Sequence, residues 1–363
     1  MERNQPRRLF GRRPSRRALG AVSVLAAAAT ALTGCAGGKA TGSDTGKATA
    51  SAGGGTTSGA KSGGKISIYV IGGKSDDPFW STVKRGVDDA AKLVKSQGGS
   101  VTYLGPQNYD NLGPDAAKLT LTAISQNPSA ILVPDWVPAN QNSAIKQAVA
   151  KGITVLTYNA GGVEAAKEVG ALKYVGSDDY EAGKAGGVKF AEDGAKKILC
   201  VNTVPGSANQ EARCKGIKDG ATSKGSTSKQ LPLPSSNFGN PSAVSQAIKA
   251  ALLQDSSIDA VVTIGVGDAD SAAAAIKQAN AVSKVKLGTF DLSQSQLDRI
   301  KAGTQVFAID QQPYLQGFYV VSIANQYLNY GVLPPQNPFL TGPLLVTKDN
   351  VSEAINGTKA GVR

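Results

Sequence analysis

The chain has 363 residues, with 39 Lys and Arg against 27 Asp and Glu, three cysteines and no histidine. Without histidine there is no Ser-His-Asp or Cys-His catalytic site and no His-ligated metal, and three cysteines cannot form a Cys₄ zinc site. Residues 1–17 account for +6 of the net charge of +12 and residues 36–64 for +2, so residues 65–363 carry +4 and offer no basic surface for nucleic acid.

The first 35 residues have the pattern of an export signal. An arginine-rich stretch precedes an apolar run of 14 residues at 18–31, which is too short to span a bilayer. The run leads into Leu32-Thr33-Gly34-Cys35, which resembles a bacterial lipobox and predicts cleavage before Cys35 and lipidation of its thiol. Ordinary signal cleavage, with Cys35 as a passenger, is the alternative. Arg16-Arg17 also resembles a twin-arginine export signal.

Residues 36–64 contain only Gly, Ala, Ser, Thr, Lys and one Asp. Such a segment cannot bury enough apolar surface to offset its ordering entropy, so it predicts a flexible tether with a reach of roughly 30 Å. Lipobox and tether together predict a folded body that a lipid anchor holds at the extracytoplasmic face of the cell membrane.

From residue 65 onward, short apolar runs alternate with helical patterns. Continuous apolar runs are typical of parallel strands that are buried on both faces. Phe79, Val83 and Val87 begin one apolar helix face, and Asn240-Pro241 predicts the start of another helix. Ten strands are too many for one ordinary sheet, so the pattern predicts α/β architecture with two similar doubly wound parallel-sheet lobes. The predicted strands are residues 66–71, 101–104, 130–133, 153–157, 174–175, 198–201, 230–233, 260–264, 285–289 and 305–309.

Besides Cys35, the chain has two cysteines. Cys200 lies in a predicted strand and Cys214 in a helical stretch. In an oxidising compartment a disulfide between them is plausible, and two separate buried thiols are the alternative.

Polar and aromatic residues follow nearly every predicted strand. In open parallel sheets the ligand lies outside the carboxyl ends of the strands, so we expect these residues to surround one site. Carboxylates and amides bind hydroxyls while aromatic rings cover C–H faces, which predicts a small neutral sugar or polyol as the ligand. The candidate ligand-binding residues are Asp77, Phe79, Trp80, Asp135, Trp136, Asn159, Glu211, Arg213, Asp268, Asp291 and Gln311.

Several of these residues also have a purely structural interpretation. In each of the pairs Asp76-Asp77 and Asp178-Asp179, we expect one member to cap the following helix and the other to be available for function. Asp268 is equally suited to capping its own helix. Adjacent helical positions point about 100° apart, so at least one of Phe79 and Trp80 is expected to be exposed or to lie in a cleft.

The lipobox, the tether, the two-lobed body and Asp77-Pro78-Phe79-Trp80, in this order, resemble the substrate-binding lipoproteins of sugar ABC importers. The chain is most similar to the ribose-binding-protein-like type I periplasmic binding proteins, over residues 65–350. Arg213-x-x-Gly216, Phe290-Asp291 and Gln311-x-Pro313-x-x-x-Gly317 add to this resemblance.

The resemblance implies two lobes, residues 65–176 plus 312–340 and residues 177–311 plus 341–358. Three hinge crossings would join them, near Ser177, Gln311 and Thr341. It implies a monomer that captures its ligand by lobe closure and delivers it to a membrane permease, with no catalysis and no cofactor.

The resemblance also assigns roles to residues by position. It implies that Asp77, Phe79 and Trp80 contact the ligand from the first lobe, with the rings stacked on the sugar. Asp268, Asp291 and Gln311 would form hydrogen bonds from the second lobe or the hinge.

Two departures from ribose binders affect the ligand. Those proteins have Asp-Arg where this chain has Asn159-Ala160, and an arginine where it has Glu211. The loss of two rigid multi-donor guanidinium groups disfavours ribose itself as the ligand, and a different pentose, a hexose, a sugar alcohol or a cyclic polyol also fits.

Three other functions share parts of the pattern. A glycoside hydrolase would use two of the carboxylates as acid and base. A sugar-sensing repressor would carry a helix-turn-helix where this chain has an export signal. A surface receptor that feeds a sensor kinase or chemoreceptor is not separated from an import protein by the sequence.

Overall fold

The structure is a computed structural model, and it describes residues 65–363. The predicted export signal, the Cys35 lipobox and the tether at 36–64 lie outside the described residues. Within the described part, no helix is both long and apolar enough to cross a membrane.

The described residues alternate strand and helix from the start. The first part contains β1 (Ser67–Ile71), α1 (Pro78–Ser96), β2 (Ser100–Leu104), α2 (Leu112–Ser125), β3 (Ala130–Val133), α3 (Pro138–Ala150), β4 (Thr154–Tyr158), α4 (Gly162–Val169) and β5 (Tyr174–Ser177). The second contains α5 (Asp179–Glu192), β6 (Lys197–Asn202), α6 (Ala208–Ser223), β7 (Thr227–Pro232), α7 (Pro241–Gln254), β8 (Ala260–Thr263), α8 (Val266–Gln278), β9 (Lys286–Phe290), α9 (Gln294–Ala302) and β10 (Phe307–Asp310). The last contains α10 (Pro313–Tyr330), β11 (Phe339–Gly342), β12 (Leu344–Val346) and α11 (Val351–Lys359).

The strands form two six-stranded sheets, in the orders β11-β5-β4-β3-β1-β2 and β12-β10-β9-β8-β6-β7. We call the units built on them the first lobe and the second lobe. The five strands that open each lobe have the same order, and β12, which runs antiparallel to β10, departs from the parallel pairing. The prediction of two similar doubly wound lobes is therefore confirmed.

The chain changes sheet at three places. It leaves the first lobe after β5, returns between β10 and α10, and crosses again between β11 and β12. These crossings form the hinge, and they lie beside the carboxyl ends of the strands.

The predicted helix faces are buried as the spacing indicated. Val83, Val87 and Val94 are at most 1% exposed on the inner side of α1. Asn240 caps α7 by accepting a hydrogen bond from the Ala243 N–H, with Pro241 in the first turn.

Cys200 and Cys214 form a disulfide that joins β6 to α6.

The sequence analysis did not predict β11 and β12. They have four and three residues, separated by Pro343, and are too short to give a strand pattern. It also placed β7 at 230–233 rather than at Thr227–Pro232, because this edge strand is mostly exposed and polar outside Leu231.

Candidate ligand-binding site

The carboxyl ends of both sheets face a cavity of about 260 Å³ between the lobes. Residues of both lobes and of the hinge line it, as the rule for open parallel sheets predicts. The predicted residues that line the cavity are Asp77, Phe79, Trp80, Trp136, Asn159, Arg213, Asp268, Asp291 and Gln311.

The N-terminus of α1 places three residues at the cavity. Asp77 Oδ1 accepts hydrogen bonds of 3.0 Å from the backbone N–H groups of Phe79 and Trp80, which fixes the start of the helix. Asp76 is exposed and pairs with Lys74, 3.4 Å away. Asp77 is therefore the capping member of its pair, and its second carboxylate oxygen has no partner among the described residues.

Aromatic rings of the first lobe form one wall of the cavity. The Trp80 ring makes edge contacts with Phe79 and Trp136, each with centroids 5.3 Å apart, and with Tyr158 at 6.1 Å. Trp80 is 7% exposed whereas Phe79 is partly buried. This locked cluster presents flat apolar surface of the kind that covers the C–H face of a sugar or cyclitol.

Two carboxylates of the second lobe face this wall. Asp268 does not cap α8; its Oδ2 accepts a hydrogen bond of 2.9 Å from Thr203 Oγ1. Asp291 Oδ1 accepts a hydrogen bond from Gln311 Nε2. In both residues the other carboxylate oxygen has no partner among the described residues, so it is available to a ligand.

Asn159 and Asp291 occupy equivalent positions in the two lobes. Each is the first residue after the fourth strand of its lobe, and each has a left-handed backbone, with φ of 64° and 67°. Their N–H groups donate to Val175 O and Ile309 O in the neighbouring strand. Among non-glycine residues, Asn and Asp tolerate this conformation best, which explains these residue types at a turn that points a polar side chain at the cavity.

Arg213 is held inside the second lobe by four contacts. Its Nε lies 2.8 Å from Asp179 Oδ1, and its Nη1 and Nη2 donate to Ile264 O and Gln311 Oε1. The guanidinium also lies 4.7 Å from the ring centroid of Phe290. Asp179 thus pairs with Arg213, and Asp178 caps α5 by accepting a hydrogen bond from the Glu181 N–H.

Hydrogen bonds connect the first lobe to the second through the hinge. Trp136 Nε1 donates to Asn159 Oδ1, and Asn159 Nδ2 donates to Gln316 Oε1 at 3.0 Å. Gln316 Nε2 then donates to the carbonyl oxygen of Gln311, whose side chain contacts Arg213. This buried chain fixes the orientation of the polar groups at the base of the cavity.

The environment raises the pKa of all three cavity carboxyls. Burial raises the pKa of Asp291 to about 7 and that of Asp268 to about 6, and the charge of Asp77 contributes to both increases. Burial also raises the pKa of Asp77 itself, against the two N–H groups that it caps. The Asp77 charge therefore disfavours ionisation of Asp268 and Asp291.

Two predicted site residues lie away from the cavity. Asp135 is fully buried beneath the loop at Gly161, and neither of its carboxylate oxygens has a hydrogen-bond partner among the described residues. Glu211 lies on the far side of α6, where it accepts from Asn202 Nδ2 and the Gly206 N–H. The geometry gives neither carboxylate a contact with a ligand in this cavity.

The sequence analysis missed several cavity residues. Tyr109 and Phe238 follow the second strand of each lobe, and their rings meet across the cleft with centroids 4.8 Å apart. Examining the ends of all strands, including these two edge strands, would have found them. The remaining polar side chains that line the cavity and were not selected are Ser207, Asn209, Gln210, Asn240 and Ser271.

A second cavity, of about 340 Å³, lies beside the hinge. It is bounded by the N-terminal ends of α4, α5 and α6 and by β11, and it contains none of the predicted ligand residues. Asn209 borders both cavities.

Within residues 65–363, no group of three acidic, cysteine or histidine side chains could hold a metal ion.

Comparisons with known proteins agree with this geometry. The family described as "periplasmic binding protein domain" matches residues 68–331. A xylose/arabinose-binding protein of Sulfolobus acidocaldarius is 26% identical over 300 residues, which cover 76% of this chain and 69% of that protein.

Solved structures show the same fold. A carbohydrate transporter from Acidothermus cellulolyticus 11B, in complex with myo-inositol, is 32% identical with a TM-score of 0.74, and the match covers 82% of this chain and 99% of that one. A glucose-galactose binding protein from Geobacillus stearothermophilus is 20% identical with a TM-score of 0.68, covering 78% of this chain and 98% of that one. This second likeness concerns the fold alone.

Proposed function

The chain belongs to the periplasmic binding protein family, and on that premise we propose that it captures a small cyclic polyol or sugar and delivers it to an ABC importer. One observation carries the proposal: the cavity is completed by both lobes, with an aromatic wall from the first and carboxylate acceptors from the second. Neither lobe alone surrounds a ligand.

The chemistry of capture follows from these groups. A ring lies against Phe79 and Trp80, and its hydroxyls donate to the unpartnered oxygens of Asp77, Asp268 and Asp291. Since closure removes every hydroxyl from water, each one needs a protein partner or affinity falls. The ligand stabilises the closed arrangement because it binds that arrangement better than the open one.

A cyclitol is the first candidate within this class. The structure that is 32% identical to this chain holds myo-inositol. Ribose fits less well, because Asn159 stands where ribose binders have an acidic-basic pair, and Glu211 lies outside the cavity. A cavity of about 260 Å³ also limits the ligand to roughly the size of a single ring.

The remaining parts of the proposal concern the setting. Lipidation of Cys35 and the tether at 36–64 would anchor the protein to the outer face of the cell membrane, and a permease would receive the ligand. The lobes would comprise residues 65–176 plus 312–340 and residues 177–311 plus 341–358. These assignments rest on the sequence, and mass spectrometry of the mature protein tests the first by the presence of diacylglycerol on Cys35.

A ligand screen tests the function. Thermal-shift and calorimetric titrations would use myo-inositol, scyllo-inositol, xylose, arabinose, glucose and ribose. We expect at least one of the cyclitols or sugars to raise Tm by mass action and to be recovered chemically intact. Failure of every compound to bind, or conversion of the bound compound, contradicts the proposal.

A further inference from the structure

The side chains that line the cavity carry an excess of negative charge. Asp77, Asp268 and Asp291 contribute three carboxylates, and Arg213 is the one basic side chain of the described residues that reaches the lining. Asp268 and Asp291 are 4% and 7% exposed, so their charges are poorly solvated by bulk water.

Arg213 does not balance these carboxylates. Its guanidinium is paired at 2.8 Å with Asp179, which lies behind it and does not line the cavity. Its other hydrogen bonds go to Ile264 O and Gln311 Oε1. The Arg213–Asp179 pair is neutral as a unit, so it compensates only part of the charge of the three cavity carboxylates, through the action of Arg213 on Asp291.

Four oxygens of the cavity are acceptors without a hydrogen-bond partner among the described residues. Each of the three carboxylates has one oxygen without a partner among the described residues. Gln210 lines the same cavity, is 9% exposed, and its Oε1 likewise has no partner among the described residues. Such a surface selects a ligand with many donors and disfavours one that brings further negative charge.

The aromatic wall also favours positive charge. Phe79, Trp80 and Trp136 line the cavity beside Asp77 and across from Asp268 and Asp291, and the face of an aromatic ring attracts a cation that has lost its water. A ring-shaped polyol that carries one ammonium group would satisfy both surfaces. The ammonium supplies three donors and one compensating charge where a hydroxyl supplies a single donor.

From these features we infer that the cavity binds amino derivatives of cyclic polyols, such as aminocyclitols or amino sugars, more tightly than the corresponding neutral compounds. The inference rests on the proposed function and narrows its ligand class. Sugar acids and sugar phosphates are excluded by the same carboxylates.

Calorimetry with two matched pairs of compounds tests the inference: scyllo-inositol against scyllo-inosamine, and glucose against glucosamine, at pH 7. All ring positions of scyllo-inositol are equivalent. Scyllo-inosamine can therefore bind with its ammonium group toward the carboxylates while its hydroxyls keep the positions that they have in bound scyllo-inositol. We expect the amine to bind about tenfold more tightly than its parent in at least one pair. If neither amine binds more tightly than its parent, the inference is overturned.

Variants identify the source of the preference. Asp291→Asn and Asp268→Asn remove charge with little change in shape, and each should reduce the preference for the amine at least about threefold. Asp76→Asn, which removes an exposed carboxylate next to the site, should leave it unchanged. A preference that survives both cavity substitutions also overturns the inference. If only the neutral parent compounds bind, the inference fails and the proposed function still holds. If none of the four compounds and none of the other screened sugars bind, the proposed function is contradicted too.

Discussion

Asp77 has the two properties that we expected to be divided between Asp76 and Asp77, helix capping and a position at the cavity. One carboxylate oxygen caps α1, and the other remains free at the rim of the cavity. The rule that ligands lie beyond strand ends selected loops that line the cavity, but it does not state which way each side chain points. Asp135 shows the limit: it is adjacent to Trp136, whose ring reaches the cavity, yet its own carboxylate is buried beneath the Gly161 loop. Orientation depends on packing between elements that are distant in sequence.

Phe79 offers a cleaner probe of ring stacking than Trp80. Trp80 is nearly buried among Trp136 and Tyr158, so its removal would cost folding energy as well as affinity. We expect Phe79→Ala to weaken binding of the ligand found in the screen about tenfold, while Tm falls by only a few degrees. Titration calorimetry and thermal melts measure both effects.

The control for this substitution is Tyr330→Ala, which removes a ring that is 62% exposed and lies outside the cavity. Its affinity should match that of the unmodified protein. An affinity unchanged by Phe79→Ala would mean that the ring does not touch the ligand.

Asp135 predicts a pH dependence of stability. Burial, with a contribution from the charge of Glu168, raises its pKa to about 6 from 3.8 in the unfolded chain. The folded state holds the proton more tightly, so this residue's contribution to stability is fully present below pH 4 and is lost as the pH rises through 6. The loss amounts to about 3 kcal/mol at most.

Asp135→Asn removes this titration. We expect the difference in Tm between the variant and the unmodified protein to increase in favour of the variant from pH 4.5 to pH 7.5. Asp110→Asn, at an exposed position, is the control for the substitution itself. A pH-independent difference for Asp135→Asn would show that the carboxyl is ionised throughout or has an unseen partner.

At the scale of the elements, two pairs of helices depend on glycine for close packing. A Cβ at Gly317 in α10 would collide with the backbone of Val83 in α1, and one at Gly216 in α6 would collide with the backbone of Tyr180 in α5. These are the glycines of two of the motifs that contributed to the family resemblance. The motifs were therefore informative because they mark helix contacts next to the hinge and cavity, whereas β11 and β12 escaped prediction because nothing local specifies them.

Gly317→Ala tests this packing. The added methyl group forces α1 and α10 apart, and we expect the free energy of unfolding to fall by about 2–3 kcal/mol. Gly267→Ala is the matched control, because its Cβ would meet no atom within 4 Å. That variant should be as stable as the unmodified protein or slightly more so, since alanine favours the helix. Chemical denaturation of the two variants measures the contrast, and equal stability would contradict the packing argument.

At the scale of the whole molecule, the lobes meet at several places outside the hinge. The backbone N–H of Ala208 in the second lobe donates to Trp136 O in the first at 2.7 Å. The rings of Tyr109 and Phe238 meet in a perpendicular contact beside the cavity. The hydrophobic pattern predicted two lobes because each strand and helix can be recognised from the local spacing of its apolar residues. The contacts between the lobes depend on how the lobes pack against each other, which no local pattern specifies.

The ring contact predicts a kinetic role for Tyr109. Its hydroxyl accepts a hydrogen bond from the Lys74 N–H, so the ring is held in place on the first lobe when it meets Phe238. Because this ring contact joins the two lobes beside the cavity, Tyr109→Ala should speed ligand dissociation about three- to tenfold and leave association nearly unchanged. Stopped-flow fluorescence of Trp80 and Trp136 measures both rates. Tyr109→Phe keeps the ring and should dissociate at close to the original rate, whereas an unchanged rate in Tyr109→Ala would mean that the hinge and the ligand alone hold the lobes together.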